Sequence, residues 1–314
     1  MELSVIIVNW NTRDLVLECL RSLYRDTSGL STEVLVVDNG SCDGSAESIR
    51  AAFPGVILIE NSRNLGFARA GNQGLARSRG RYILFLNTDG LVQEGAVRLL
   101  LDFMEATPRA AIVGPQLLNP DGSKQNSFDN FPTLISEGLN KSLLRLLFPA
   151  RYPSKRLSFS SPVEVESAIG ACLMVRRDAI DDVGPMDEDY FFFMEETDWC
   201  FRMRQRGWKV YLVPQARVIH LQGRTAGRVK ARARVEYYRS RYLFFKKNRG
   251  ELQAGALRVI LFLKLSVALP AQGLICFLTL FLGKRARRKL AVTWTLFLWH
   301  VRLCPEKPGL KEYA

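Results

Sequence analysis

Residues Leu3–Trp10 read LSVIIVNW. A short apolar run dominated by β-branched side chains is the pattern of a buried strand in a parallel sheet. Thr12 follows as a candidate N-cap, with Leu15, Val16, Cys19, Leu20 and Leu23 at helical spacing behind it. The motif then recurs. EVLVVDNGS reads as a second strand ending at Asp38, VILIEN as a third, and RYILFLNTDG (Arg81–Gly90) as a fourth, with helical patterns over Gly66–Ser78 and Gln93–Ala106. Strand and helix alternating over short links predict an α/β fold with a mostly parallel, doubly wound sheet. Such sheets bind ligands beyond the C-terminal ends of their strands. Those ends carry Asn9 and Asn11, Asp38 and Asn39, Asn61 and Asn64, then Asn87 and Asp89.

The chain has 314 residues, 47% of them hydrophobic, enough for one large domain, or for one domain plus an appendage. Its formal net charge of +13 predicts a polyanionic partner: nucleic acid, phosphorylated small molecules or an anionic membrane. The cationic residues gather in the C-terminal region beside apolar runs, not on an aromatic-interleaved sheet, which counts against nucleic acid. Six scattered cysteines without a C-x-x-C pair suit neither a zinc site nor a disulfide framework, so reduced thiols and a cytoplasmic setting are expected. The N-terminus enters its first strand with no basic leader or cleavage site.

Periodicity fades from about Asn119 to Ser161, a Pro-, Ser- and Asn-rich stretch that reads as a long loop or lid with a short helix near Leu139–Leu147. VEVESAIGACLMVRR returns to strand character on both sides of Gly170. A helix over Glu195–Arg206 stops at Gly207, and WKVYLVP and ARVIHL read as two short strands. The character changes after Thr225. Residues 1–225 are therefore assigned to one domain and 226–314 to a basic, apolar helical tail. Within the tail, Leu265–Gly283 is uncharged and close to the roughly 20 residues that span a bilayer. Basic clusters flank it on both sides, whereas a span normally shows a one-sided bias. An interfacial or re-entrant helix pair on the cytoplasmic face of an anionic membrane is the expectation; a helical subdomain packed on the first domain is the alternative.

YFFFMEETDWCFR (Tyr190–Arg202) sets Glu195, Glu196 and Asp198 directly after an apolar run. Acids in a first helical turn suit the helix dipole, and Asp198 can pair with Arg202 at i, i+4. Glu196 faces away from that pair. An apolar wall would raise its pKa and make it a better proton acceptor, so it is the candidate general base. Asp38 could read a nucleobase or ribose, or merely close an Asx-turn. Asp89 could ligate Mg²⁺ or Mn²⁺ on a diphosphate, with His220 as a borderline second ligand, although both residues also suit simple strand ends. Gly170 could let a ligand approach the backbone closely. Arg224 and the basic helix after it could close over a pyrophosphate, or form a solvated face.

SVIIVNWN, VVDNGSCDGS, NLGFARAGNQG, LFLNTDG, GACLMVRR, MDEDYFFFMEETDWCFRMRQRGWKVYLVP and VIHLQGRT, in this order, resemble a family 2 glycosyltransferase of the GT-A fold, rhamnosyltransferase-like. The resemblance covers roughly residues 1–247. It implies an inverting hexosyl transfer from a nucleotide donor, dTDP-rhamnose or a UDP-sugar, to a hydroxyl; together with the membrane-associating tail it points to a lipid-linked or polysaccharide acceptor in cell-surface glycan assembly. It implies that Asp38 reads the base and that Asn64 and Asn72 lie near the donor. It further implies that Asp89 and His220 hold Mg²⁺ or Mn²⁺, and that Glu196 is the base, with Glu195 and Asp198 as alternates. Many relatives carry Asp-x-Asp where this chain has Asn87-Thr88-Asp89. Two other readings stay open: a sugar nucleotidyltransferase, disfavoured because NWNTRD lacks a glycine-rich loop, and a non-catalytic nucleotide-sugar-binding scaffold on the membrane.

Overall fold

A computed structural model describes residues 1–149, 159–221, 230–305 and 310. The chain divides into two compact units. The first comprises Met1–Phe131, Pro153–Phe191 and Glu195–Thr225; the second comprises Pro132–Tyr152, Phe192–Met194 and Ala226–Ala314.

The first unit is built on one large sheet. Strands β1 (Leu3–Asn9), β2 (Thr32–Asp38), β3 (Ile57–Glu60) and β4 (Tyr82–Leu86) are parallel in the order β3-β2-β1-β4. The sheet continues through β10 (Cys172–Arg176), antiparallel to both neighbours, to β6 (Ala110–Leu118), β11 (Lys209–His220) and β5 (Gly90–Val92). Alternation within the strands sends side chains to two covered faces. Val5, Ile7, Val34, Val36 and Leu84 meet helices α1 (Arg13–Asp26) and α4 (Ala96–Ala106). Ile6 and Val37 face α3 (Phe67–Arg77), and the approach there is close: a Cβ on Gly74 would lie 2.7 Å from Ile6 Cγ2. This is a doubly wound GT-A-type sheet, helices on both faces, with a helical C-terminal region beyond it.

The pattern misreads four places. Thr12 precedes α1, but its hydroxyl makes no cap bond; it donates to Asn9 Oδ1 at 2.7 Å. WKVYLVP and ARVIHL form one strand, β11, bent by an irregularity between Val213 and Arg217. Pro214 and Gln215 at the bend mimic a turn in the sequence. Between Asn119 and Ser161, α6 (Lys141–Leu147) lies where the sequence predicts a short helix, but the pattern misses the two-residue strand β7 (Phe128–Asp129) and the short helix α5 (Leu134–Gly138). Finally, the apolar tail helix, α10 (Glu251–Leu278), begins well before Leu265.

In the second unit, α9 (Lys230–Arg249), α10 and α11 (Lys284–Val301) pack around Phe244, Phe245, Leu257, Leu261, Leu296 and Trp299. The polar interruptions of α10 are satisfied internally: Lys264 Nζ donates to Glu137 O at 2.7 Å, and Gln272 Oε1 accepts from Thr293 at 2.9 Å. Glu137 forms a buried ion pair with Arg241. His300 accepts from the Tyr242 hydroxyl at 2.5 Å and bonds Leu296 O, as a core histidine. Among the described residues α10 alone is long and apolar enough to cross a membrane, and only 17% of its most apolar window is buried.

Candidate active site

The C-terminal strand ends of the first unit are stitched together by short polar side chains. Asn9 Nδ2 donates to Asp38 Oδ2 at 2.8 Å and to Ser41 Oγ at 3.1 Å. Thr12, bonded to Asn9, also meets Thr88 Oγ1 at 3.0 Å, which ties the β1 end to the β4 end. Asn11 adopts φ 52°, a left-handed conformation that asparagine tolerates, and its Oδ1 accepts from Cys42 N at 2.8 Å. Asn39 donates to Asn64 Oδ1 at 2.8 Å and accepts from Asn61 and from Leu65 N.

Asp38 is buried, and its Oδ1 closes the Asx-type turn to Ser41 N at 2.8 Å. Each carboxylate oxygen keeps a further lone pair, so the turn role and a ligand role are compatible. Asn64 also accepts from Gly66 N. Asn72 is differently employed: it donates to Met186 O and Glu188 and accepts from Met186 N, which fastens α3 to the segment before the acidic helix.

Asp89 and His220 meet through backbone pairing. Strand β5 starts one residue after Asp89 and runs antiparallel to β11 with Gly90 opposite His220. Leu221 N also donates to Asp89 O at 2.9 Å. The result is 3.3 Å between His220 Nε2 and Asp89 Oδ1, both groups largely buried. Gln125 determines the tautomer. Its Nε2 donates to His220 O at 2.6 Å and Asn119 Oδ1 at 2.8 Å, so its Oε1, 3.1 Å from His220 Nδ1, accepts a proton there. In the neutral ring Nε2 is then an acceptor facing another acceptor, and only a proton or a cation between them makes the contact favourable. A carboxylate with an imidazole suits Mg²⁺ or Mn²⁺. Among the described residues no group of three or more His, Cys, Asp or Glu is placed to hold a metal.

The acidic helix is α8 (Glu195–Gln205). Trp199 seats it, fully buried edge-on against Phe85 with its Nε1 donating to Gly184 O at 2.9 Å. Asp198 is buried and committed: Oδ2 pairs with Arg202 at 2.8 Å, and Oδ1 accepts from the Tyr190 hydroxyl at 3.3 Å. Arg202 in turn holds Pro185 O. Glu195 is buried. Glu196 is the half-buried one, and its Oε2 has no hydrogen-bond partner. Loss of water pushes its carboxyl above the ordinary glutamate range, and the charge of Asp129 adds to the effect, against opposing backbone hydrogen bonds that include Gly170. The chain turns into α8 through Phe193 and Met194, both at φ 71°, a strained conformation for side chains of that size.

Gly170 leaves the space for Glu196: a Cβ there would lie 3.3 Å from Glu196 Cγ. The adjacent Ala171 accepts from Asn87 N at 3.0 Å, two residues before Asp89. Contacts thus lead from Glu196 through Gly170 and Ala171 to the β4 end that carries Asn87 and Asp89. Strand β7 pairs with β9 (Ser167–Ala168) and brings Asp129 toward the same place. Asp129, Gln125 and Thr88 were not singled out by the sequence. The first two sit in the stretch without periodicity, and Thr88 sits between two more conspicuous residues. Arg224 lies outside the described residues.

Similarity to known proteins agrees with this architecture. The model of "Glycosyl transferase family 2" matches residues 4–184, more than half of the chain. An N-acetylglucosaminyl-diphospho-decaprenol L-rhamnosyltransferase of Mycobacterium tuberculosis is 34% identical over 67% of this chain and 73% of that protein. The dTDP-rhamnosyl transferase RfbF of Shigella flexneri is 26% identical over 69% of this chain and 68% of its own length. Among solved structures, the mannosyltransferase PcManGT of Pyrobaculum calidifontis, in complex with GDP-Man and Mn²⁺, aligns with a TM-score of 0.54 at 18% identity. That alignment covers 98% of this chain and 88% of that one, a likeness of fold. With a GT-A sheet, polar residues stitched across its strand ends and rhamnosyltransferases among its relatives, the chain belongs to glycosyl transferase family 2.

Proposed function

We propose that the chain is an inverting, metal-dependent glycosyltransferase that moves a sugar from a nucleoside diphosphate to a hydroxyl of a lipid-linked glycan. The donor we favour is dTDP-rhamnose, with a UDP-sugar as the other option. The observation that carries the reading is Glu196: a carboxylate without a partner on Oε2, short of water, in space that Gly170 leaves open. The two relatives named for rhamnosyl transfer support the sugar, and the diphospho-decaprenol in one of those names supports the acceptor.

In this mechanism Asp38 and the Asn9–Ser41 network hold the nucleoside, with Asn11 and Asn64 shaping the loops around it and Asn87 at the β4 end. Asp89 and His220 would hold Mg²⁺ or Mn²⁺, which offsets charge on the departing diphosphate. Glu196 takes the proton from the acceptor hydroxyl. The acceptor oxygen bonds to the anomeric carbon as the bond to the diphosphate oxygen breaks, and the nucleoside diphosphate leaves with that electron pair. One displacement inverts the anomeric centre. Glu195 and Asp198 are alternates of lower rank, since Asp198 already neutralises Arg202. The exposed apolar side of α10 and the basic clusters around it favour attachment to the cytoplasmic face of a membrane.

The test is a panel of nucleotide sugars incubated with full-length protein, Mn²⁺ or Mg²⁺, and a lipid-diphosphate N-acetylhexosamine. Transfer from one donor, with an inverted anomeric configuration by NMR, is expected. Donor binding without transfer to any lipid-linked acceptor would overturn the proposal. A finer prediction concerns Gly170→Ala. The added methyl pushes Glu196 by a few tenths of an ångström, and kcat is expected to fall about tenfold with donor KM and Tm nearly unchanged, by steady-state kinetics and a thermal melt.

A further inference from the structure

An open pocket of about 1040 Å³ lies between α9, α10 and α11 of the second unit. Arg234, Lys264, Lys284, Arg285, Arg288 and Lys289 line it, and among the described residues no carboxylate does. Its apolar lining comes from Leu265, Val292 and Leu296, with the rings of Tyr237 and Tyr238 beside them. Helix α11 has no acid in its first turn to offset Lys284 and Arg285, where the helix dipole already disfavours cations. Arg285 and Arg288 form no ion pair among the described residues and are exposed. Like charges gathered this way weaken the fold unless an anion joins them.

The geometry points to a site for the diphosphate head of a membrane lipid, with the first part of its hydrocarbon chain against the apolar lining. Three features select this occupant. Six cations spread along the pocket are more than a single phosphate monoester can meet, whereas a diphosphate sets its charge on two phosphoryl groups with more oxygens to bind. The volume exceeds what an inorganic anion fills and is half-walled by aromatic and aliphatic groups. Next to the cavity, α10 presents Val259, Leu263, Val267, Leu274 and Leu278, each more than half exposed. At about 1.5 Å per residue this stripe runs roughly 28 Å, comparable to the hydrocarbon thickness of a bilayer, so a lipid can enter from the membrane. The inference rests on the reading of the acceptor as lipid-linked, and it locates where this chain grips that lipid.

The experiment is flotation of the full chain with phosphatidylcholine vesicles at 0.15 M salt. One set contains a polyprenyl diphosphate, a second contains phosphatidylglycerol at equal surface charge, and inorganic pyrophosphate serves as a soluble competitor. Preference for the diphosphate lipid over phosphatidylglycerol is expected. Arg285→Gln with Arg288→Gln should weaken that binding about 30-fold, from about 1 kcal/mol per lost cation. Arg287→Gln, on the same helix but outside the cavity, should leave it unchanged. Equal binding to both vesicles, full competition by pyrophosphate at the lipid's own concentration, or an equal effect of Arg287→Gln would each overturn the site. Nucleotide-sugar binding by the same variants separates this from the enzymatic reading. Intact donor binding with no lipid preference removes the site alone; lipid preference with no donor binding removes the transferase reading and leaves the site.

Discussion

Glu196→Gln is expected to lower kcat by about 10³-fold while the protein still binds its nucleotide sugar. The substitution keeps the shape of the side chain and removes only the capacity to take a proton. A catalytic base also leaves a signature in pH. Glu196 works ionised, and burial raises its pKa, so kcat/KM should fall as pH drops through a value above the ordinary carboxylate range. That limb should vanish in the Gln variant. Stability gives the second signature. A carboxyl whose folded pKa lies above its unfolded one stabilises the fold in its protonated form. That contribution is fully present below the unfolded pKa and is lost as pH rises through the folded pKa. The ionised form, with Oε2 lacking a partner, is thus a burden on the fold, and Gln should leave Tm equal or higher. Lost turnover with unreduced Tm separates proton transfer from structural damage. The assignment fails if turnover stays within tenfold of wild type. The matched change at Asp198 should behave in the opposite way: Asp198→Asn disturbs the bonds to Arg202 and Tyr190 and should lower Tm.

The β1–β4 half of the sheet was legible because its signals are local. LSVIIVNW, EVLVVD and YILFL are short, mostly apolar runs, and each strand ends at or just before a polar residue, Asn9, Asp38 or Asn87. Beyond β4 the sheet is assembled from distant pieces. β10 enters antiparallel between β4 and β6, and β5 has only three residues, so periodicity has little to act on. The site shows the same division. Asp89, His220 and Glu196 stand out by chemistry and by resemblance. Gln125 does not, because its work is done at 95 residues' separation, where its amide orients the ring of His220. Thr12 looked like a cap because it precedes a helix. Asn9 and Thr88, one strand end away and one strand over, compete for its hydroxyl.

Asp89→Ala should uncouple nucleotide binding from metal. In the wild type, nucleoside diphosphate binding measured by titration calorimetry is expected to tighten sharply when Mn²⁺ is added, and kcat/KM is expected to need the ion. The variant should lose that tightening and, on the order of 10²- to 10³-fold, its kcat/KM. The argument is local. Gln125 fixes the proton on His220 Nδ1, so Nε2 and Asp89 Oδ1 face each other at 3.3 Å as two acceptors, a contact that a divalent cation relieves. With one carboxylate and one imidazole, the chain supplies few of the ligands a hard cation takes, and the diphosphate must supply others. On this proposal metal and nucleotide are expected to bind with strong mutual dependence rather than in sequence. Gln125→Ala leaves both ligands in place but frees the ring. It should weaken apparent Mn²⁺ affinity about 10- to 100-fold, with metal-free nucleotide binding unchanged. Metal enhancement of nucleotide binding that persists at wild-type strength in Asp89→Ala would place the cation elsewhere. It would leave the Asp89–His220 contact as an imidazolium–carboxylate pair that only braces the edge of the sheet.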